Sequence, residues 1–361
     1  MSGQDTAAEP VVIVEVKGEA GILTLNRPKA LNALTLEMTD LLLPQLRAWA
    51  KDPAITRVIL KGAGEKAFCA GGDVRFIYDE GRAGRAQNGL DFFAAEYVCD
   101  HYIGTYPKPF VSFIDGIAMG GGNGLSMHGA YRIAGDRYLF AMPEVFIGLF
   151  PDVGASHALP RLPGFFGTYL ALTGGRIRGP EAYACGLVNY VVPTADLPKL
   201  EEELAAGGDV AACIAAHHVT PGPSAFAGRE GLIADIFSKP SVKEIVAALE
   251  AAAAGDGADA TFAAETLAAI RKGSPTSTAI ALEHMRRGIH LDLADCLRTD
   301  LRICHRVVEG TDFYEGVRAV LIDRDNAPKW DPASIDAIDP AAIAAHFEPI
   351  AKELQLLAPG G

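Results

Sequence analysis

Apolar positions change their spacing along the chain, and each change marks a different kind of element. Residues 11–16 (VVIVEV) and 21–26 (GILTLN) are short β-rich runs around a Gly/Glu turn, which predicts a hairpin. Residues 35–51 carry Leu at helical spacing behind Thr35 and Glu37, a helix-start signature, with Pro44 expected to kink the helix. Residues 57–61 (RVILK) read as a buried strand. It feeds a glycine-rich loop over 62–72, with a helix expected from about Asp73. Residues 109–114 (PFVSFI) form another apolar strand, followed by AMGGGNGLSMHG at 118–129 and a helix to about His128. Two further short strands, 131–134 and 138–141, precede a helix over about 154–162.

Strand, strand, helix thus recurs in spacing, without repeating in residue identity. The pattern predicts an α/β fold of stacked parallel strands with helices packed outside. After Val192-Pro193 the texture changes. Segments 197–206, 242–255 and 262–270 are Ala/Glu/Leu-rich and helical by pattern, with Gly and Pro interrupting at 221–223 and 255–257. The organisation expected is a disordered tail over 1–10, an α/β core over 11–200 and a helical region over 201–361. Within the last, residues 331–361 add a helix or two beyond Trp330.

Charge and composition narrow the function. A net charge of −13 disfavours broad binding to nucleic acid or an anionic membrane, so an anionic ligand needs a local basic patch. The six cysteines are scattered with no C-x-x-C pair, which points to free thiols in a reducing compartment. Histidines and cysteines lack metal-ligand spacing, so no metal and no separate cofactor is expected. No apolar run approaches the roughly 20 residues of a membrane span. The N-terminal decapeptide has neither a signal nor a transit pattern, and the expected location is the cytoplasm.

The glycines at 118–129 carry the chemistry. They fail the dinucleotide pattern, because Met127 or Leu125 stands at its last glycine, and no G-K-S or G-K-T tripeptide supports a P-loop. The nucleophile elbow is nearly met by Gly124-Leu125-Ser126-Met127, but His128 replaces its final glycine, so Ser126 reads as a helix residue. What remains is hydrogen-bond donation by bare backbone at a strand-to-helix junction. A second loop of the same build, AFCAGGDV at 67–74, offers a partner donor for one oxygen. Two such loops at strand ends favour a shared site.

Together these loops resemble those of the crotonase (enoyl-CoA hydratase/isomerase) superfamily. The matching elements are LTLNRPKALNAL at 23–34, KAFCAGGDV at 66–74, DGIAMGGG at 115–122 and FAMPEVFIGLFPDVG at 140–154. The resemblance implies a spiral of ββα turns followed by helices, and an acyl-CoA substrate as the partner. It implies an oxyanion hole of the backbone N–H groups of Gly72 and Gly121, shaped by Gly120. It also implies a CoA-holding surface near Arg27, Lys29, Leu31, Ala70, Asp73, Val74 and Arg75, with Lys66 adding charge. Within the superfamily, GLFPDVG, SPTS at 274–277 and DFYEGVRAVLIDRDNAPKW at 312–330 look like the branch that hydrolyses 3-hydroxyisobutyryl-CoA in valine degradation.

Hydratases of the superfamily place one glutamate where this chain has Gly124 and another where it has Glu144. Losing one carboxylate removes half of an acid/base pair, which counts against adding water to a double bond. Apolar neighbours in FAMPEVF would raise the Glu144 pKa, as suits a proton carrier. Asp152, eight residues on, is the second acid. From the residues alone, Asp152 reads equally as a turn aspartate, and Glu144 as one half of a structural ion pair. By the resemblance, both are catalytic and Glu96 contacts the substrate. The expected activity is hydrolysis of a short branched hydroxyacyl-CoA thioester. Alternatives are an enoyl-CoA hydratase or isomerase, a non-catalytic acyl-CoA-binding protein, and a serine hydrolase acting through Ser126. A homo-oligomer is possible through the C-terminal helices.

Overall fold

Parallel strands buried on both faces dominate the N-terminal half. The structure, a computed structural model, describes residues 9–358, so the tail expected over 1–10 falls almost wholly outside the described residues. Six strands form the larger sheet: β1 (Val12–Lys17), β2 (Ala20–Leu25), β3 (Arg57–Gly62), β5 (Phe110–Ile114), β7 (Tyr131–Ala134) and β9 (Tyr190–Val191), in that order. The hairpin pair β1–β2 is antiparallel and the remaining pairs are parallel. Three short strands, β4 (Ala67–Cys69), β6 (Ile117–Met119) and β8 (Leu139–Ala141), form a second parallel sheet. Each turn of the chain lays one strand in the large sheet, one in the small sheet, and then goes helical.

Alternation of side chains gives the large sheet two apolar faces. Leu23, Leu25, Val58, Leu60, Phe110 and Ile114 belong to the main core. Their neighbours Ile22, Ile59, Val111 and Ile133 point the other way, onto Leu197, Leu200, Leu204, Val210 and Ile214. Those last residues come from helices Leu197–Ala206 and Val210–His217. The main core continues through Ile245, Ile280, Leu301 and Phe347, so apolar packing crosses residue 200 without a break.

Helices α1 (Leu36–Lys51), α2 (Val74–Arg82), α3 (Ala86–Gly104) and α4 (Gly121–Met127) pack outside the strands. Thr35 caps α1 by accepting from the Met38 N–H at 3.3 Å, and the helix runs past Pro44 to Lys51. Asp73 caps α2 in the same way. The C-terminal region is helical as expected, ending in helix Pro340–Ala345.

Two expectations need correction. The glycine loop at 62–72 and the segment between the strand at 109–114 and the following helix each contain a three-residue strand, β4 and β6, where only loop was expected. Three residues cannot display a period of two, and these strands are specified by partners far along the chain.

The loop before α1 is built around Asn32, which is fully buried. Its amide donates to the carbonyls of Ala63 and Ala67 at 2.9 Å, while its Oδ1 accepts from the Arg27 N–H. Leu31 and Asn32 both adopt left-handed φ, of 53° and 56°. Leu31 then offers its carbonyl to the Ala70 N–H at 3.0 Å, fastening this loop to the glycine loop after β4. Asn32→Ala should therefore lower stability by about 2–3 kcal/mol, since it orphans one buried and one half-buried carbonyl and one N–H. Urea denaturation with an unchanged m-value is the check.

Candidate active site

All three strands of the small sheet deliver their chains to one place. The end of β4 leads to Ala70–Gly72, the end of β6 to Gly120 and Gly121, and the end of β8 to Glu144. These residues, with Val74, Glu96 and Asp152, line a cavity of about 970 Å³. Leu34 pairs with the chain on either side of Gly72, through the Gly71 carbonyl and the Asp73 N–H, leaving the Gly72 N–H facing the other way. Gly121 opens α4, where an N–H has no partner within the helix. A Cβ built on Gly121 would lie 3.3 Å from the Gly72 nitrogen and would overlap Glu96 Oε1, so both the donor pair and Glu96 require glycine there. Gly120 has φ 46°, and a Cβ on it would lie 2.9 Å from Glu144 Oε1.

Acidic groups crowd this end of the molecule. Glu96 and Asp100 from α3, Glu144, Asp152 and Asp300 are all buried. Burial pushes Glu144 well above the usual carboxyl range, and the neighbouring Asp152 adds to the shift. Glu96 is raised by burial and then by Asp152. Asp100 is raised by burial and then by Glu96. Asp152 reaches only about 6: burial raises it, but the Tyr97 hydroxyl donates to its Oδ2 at 2.5 Å and favours the charged form. Glu96 Oε1 and Glu144 Oε2 have no hydrogen-bond partner among the described residues. No group of these acids with histidine or cysteine gathers as a metal site among the described residues.

Position 124 takes on a sharper meaning. A Cβ on Gly124 would lie 2.6–2.8 Å from the Asp100 carboxyl group, so that carboxyl fills the space a side chain at 124 would need. Asp100 escaped the sequence reading, although an acid inside the apolar face of α3, four residues after Glu96, was a visible signal. Ser126 is no nucleophile: its hydroxyl is buried and donates to the Gly122 carbonyl at 2.8 Å. Asp152 does not cap a turn with its side chain, and Glu144 makes no ion pair among the described residues.

Arg27, Lys29, Leu31, Lys66, Asp73 and Arg75 are not among the residues that line the cavity. Arg27 contacts Asp73 at 3.8 Å and donates to the Ala33 carbonyl. Lys29 and Lys66 are exposed, Leu31 is half-buried, and Arg75 pairs with Asp79 at 3.7 Å. Sequence reasoning missed the far wall of the cavity, where Arg176, Arg271, Lys272, Pro328 and Trp330 stand. They stand on three separate segments, and although Pro328 and Trp330 end the motif at 312–330, nothing in it pointed to the cavity.

Comparison with known proteins places this geometry in context. Residues 20–347 match the family description enoyl-CoA hydratase/isomerase. Among curated proteins, the chain is 44% identical to the mitochondrial 3-hydroxyisobutyryl-CoA hydrolase of Gallus gallus, covering 96% of this chain and 90% of that protein. It is 42% identical to the mitochondrial enzyme of that name from Homo sapiens, over 96% and 91%. It is 41% identical to 3-hydroxyisobutyryl-CoA hydrolase 1 of Arabidopsis thaliana, over 98% and 96%. Among solved structures, a carnitinyl-CoA dehydratase from Mycobacterium thermoresistibile superposes with TM-score 0.90 at 39% identity, covering 96% of this chain and 99% of that one. An enoyl-CoA hydratase from Rhodobacter sphaeroides gives TM-score 0.89 at 36% identity, over 96% and 100%.

The acidic cluster makes a prediction about stability. A carboxyl whose folded pKa is raised holds a proton that the unfolded chain has released, so its contribution falls as pH rises above the unfolded value. Asp100→Asn keeps the shape and removes one such titration. Relative to the natural protein, it should gain stability as pH rises through the range above about 4, the ordinary aspartate value. Urea midpoints of both proteins across that range test this, and the buried histidines contribute equally to each. A constant difference would show that Asp100 does not titrate abnormally.

Proposed function

The chain belongs to the enoyl-CoA hydratase/isomerase family, and within it we propose that the protein hydrolyses 3-hydroxyisobutyryl-CoA to the free acid and CoA. The observation that carries this reading is the pairing of Gly124 with Asp100. Hydratases of the family work with two glutamates. Here the space for one is taken by an acid buried outside the cavity, and Glu144 lines the same cavity as Gly72 and Gly121. One carboxyl beside a pair of converging donors fits acyl transfer better than delivery of water to both ends of a double bond. The relatives named as hydrolases support the same choice. The two solved structures are named for hydration or dehydration, and the fold alone does not separate these chemistries.

In this reading the thioester oxygen accepts from the Gly72 and Gly121 N–H groups, an oxyanion hole. Glu144 takes a proton from water, whose oxygen adds to the carbonyl carbon. The tetrahedral intermediate collapses, the C–S bond breaks, and Glu144 returns the proton to the CoA sulfur. Attack by Glu144 itself through an anhydride uses the same residue and the same donors. Asp152 orients the reacting groups, and Glu96 Oε1 meets the substrate hydroxyl. Arg27, Lys29 and Arg75, with Arg176, Arg271 and Lys272 across the opening, supply the positive charge that CoA phosphates need.

No helix among the described residues is long and apolar enough to cross a membrane. The six free cysteines fit a reducing compartment, either the cytoplasm or a mitochondrial interior such as the animal relatives' names state. Self-association belongs to the same reading.

Thiol release from 3-hydroxyisobutyryl-CoA, followed with a disulfide dye, tests the proposal. Glu144→Gln should lower kcat by about 10²–10⁴-fold with a modest change in KM. Full activity in that variant removes Glu144 from the mechanism. Loss of the enoyl absorbance of crotonyl-CoA without thiol release would instead establish hydration. Binding without turnover of either substrate would establish a non-catalytic role.

A further inference from the structure

The backbone that carries Asp152 is strained, and residues outside the proposed reaction hold it. Val153 has φ 52° and Gly154 has φ 75°. A β-branched residue stays in the left-handed region only where its surroundings enforce it. Three groups fasten this turn. His128 at the end of α4 lies with Nε2 2.8 Å from the Val153 carbonyl. Burial pushes His128 down to about 4, so the ring is neutral, and Nε2 must carry its proton to donate to a carbonyl. Asp300 Oδ2 accepts from the Gly154 N–H at 2.8 Å. Tyr97 donates to Asp152 Oδ2 at 2.5 Å.

Two of these groups depend on the C-terminal helices. Asp300 and Cys304 both stand on helix Leu293–Val307. Cys304 Sγ lies 3.1 Å from the Tyr97 hydroxyl. Burial holds that thiol protonated, so it can donate to the oxygen whose own hydrogen goes to Asp152. Asp300 Oδ1 sits 3.2 Å from His284 Nε2 on helix Pro275–Gly288, with both side chains fully buried. The His284 ring also packs edge-on against Phe150, two residues before Asp152.

We propose that Tyr97 and Asp300 are positioning residues for Asp152, making the helical C-terminal region part of the machinery that aligns the site. The inference rests on the hydrolase reading for the role of Asp152. Its geometry does not, because the clamp is built whatever the substrate. Tyr97 fixes the orientation of the Asp152 carboxyl through Oδ2 and favours its charged form despite burial. Asp300 sets the turn through the Gly154 N–H. The other groups packed near Asp152 are Glu96 and Asp100 on α3, Glu144 from the end of β8, and Asp300 itself, all acids whose own ionisation the Asp152 charge opposes. Tyr97 is thus the side-chain donor that favours the charged form of Asp152 against its burial.

Tyr97→Phe deletes one oxygen and keeps the packed ring. It should lower kcat about tenfold or more with little change in KM, and move the acid limb of the kcat profile upward by about one pH unit, because Asp152 loses the donor that lowers its pKa. Asp300→Asn keeps an acceptor for the Gly154 N–H and should retain most activity, whereas Asp300→Ala should not. Thermal melts of each variant accompany the kinetics. A second readout needs no turnover: in protein with ¹³C-labelled aspartate carboxyls, assigned with Asp152→Asn, the Asp152 resonance should titrate higher in Tyr97→Phe. A natural protein that releases no thiol, with the Asp152 titration shifted in Tyr97→Phe, overturns the hydrolase reading and leaves the clamp standing. An unshifted titration overturns the clamp, as does an unchanged pH profile in an active Tyr97→Phe enzyme. Equal activity of Asp300→Ala and Asp300→Asn removes Asp300 from it.

Discussion

Burial of several carboxyl groups in one small volume is the constraint on which the rest of the site depends. A lone ionised carboxylate in a low-dielectric interior is costly, and like charges nearby raise that cost. Glu96, Asp100, Glu144, Asp152 and Asp300 meet it in different ways. Asp152 is given a hydroxyl donor and titrates near 6. Asp300 accepts from the Gly154 N–H, yet burial and then Asp152 still push it well above the ordinary carboxyl range. Glu96, Asp100 and Glu144 are raised well above their ordinary values, first by burial and then by neighbouring acids. The same crowding that weakens the fold at high pH leaves groups poised to exchange a proton in the cavity.

Glycines make this density possible. Gly121 gives room to Glu96, Gly120 to Glu144 and Gly124 to Asp100. The run of glycines after β6 therefore serves two ends at once. It exposes N–H groups toward the cavity, and it lets three carboxyl groups pack against one short helix. A hydratase-like glutamate at position 124 and a buried acid at position 100 compete for one space, so these two positions read as a coupled choice.

Much of this was legible in the chain. The strand-strand-helix rhythm, the two glycine loops, Glu144 and Asp152 all announce themselves locally, through composition and spacing within a few residues. The family motifs point to the same place, and the matching relatives span nearly the whole chain. Strands β4 and β6 were not legible, because three residues carry no periodicity of their own. The basic and aromatic far wall of the cavity was equally hidden, since Arg176, Arg271 and Trp330 arrive from separate elements.

What the chain by itself determined was where backbone is bare, and which carboxyl follows the third strand of the small sheet. These are short-range properties, set by glycine's missing side chain and by the order of elements. Tertiary structure decided what surrounds them. Tyr97 meets Asp152 across 55 residues, Asp300 meets Gly154 across 146, and Cys304 meets Tyr97 across 207. Such contacts leave no periodic trace, because only the burial of one apolar core brings their elements together. The pKa of each acid, and the strain held at Val153, follow from those contacts and could be settled only by the folded chain.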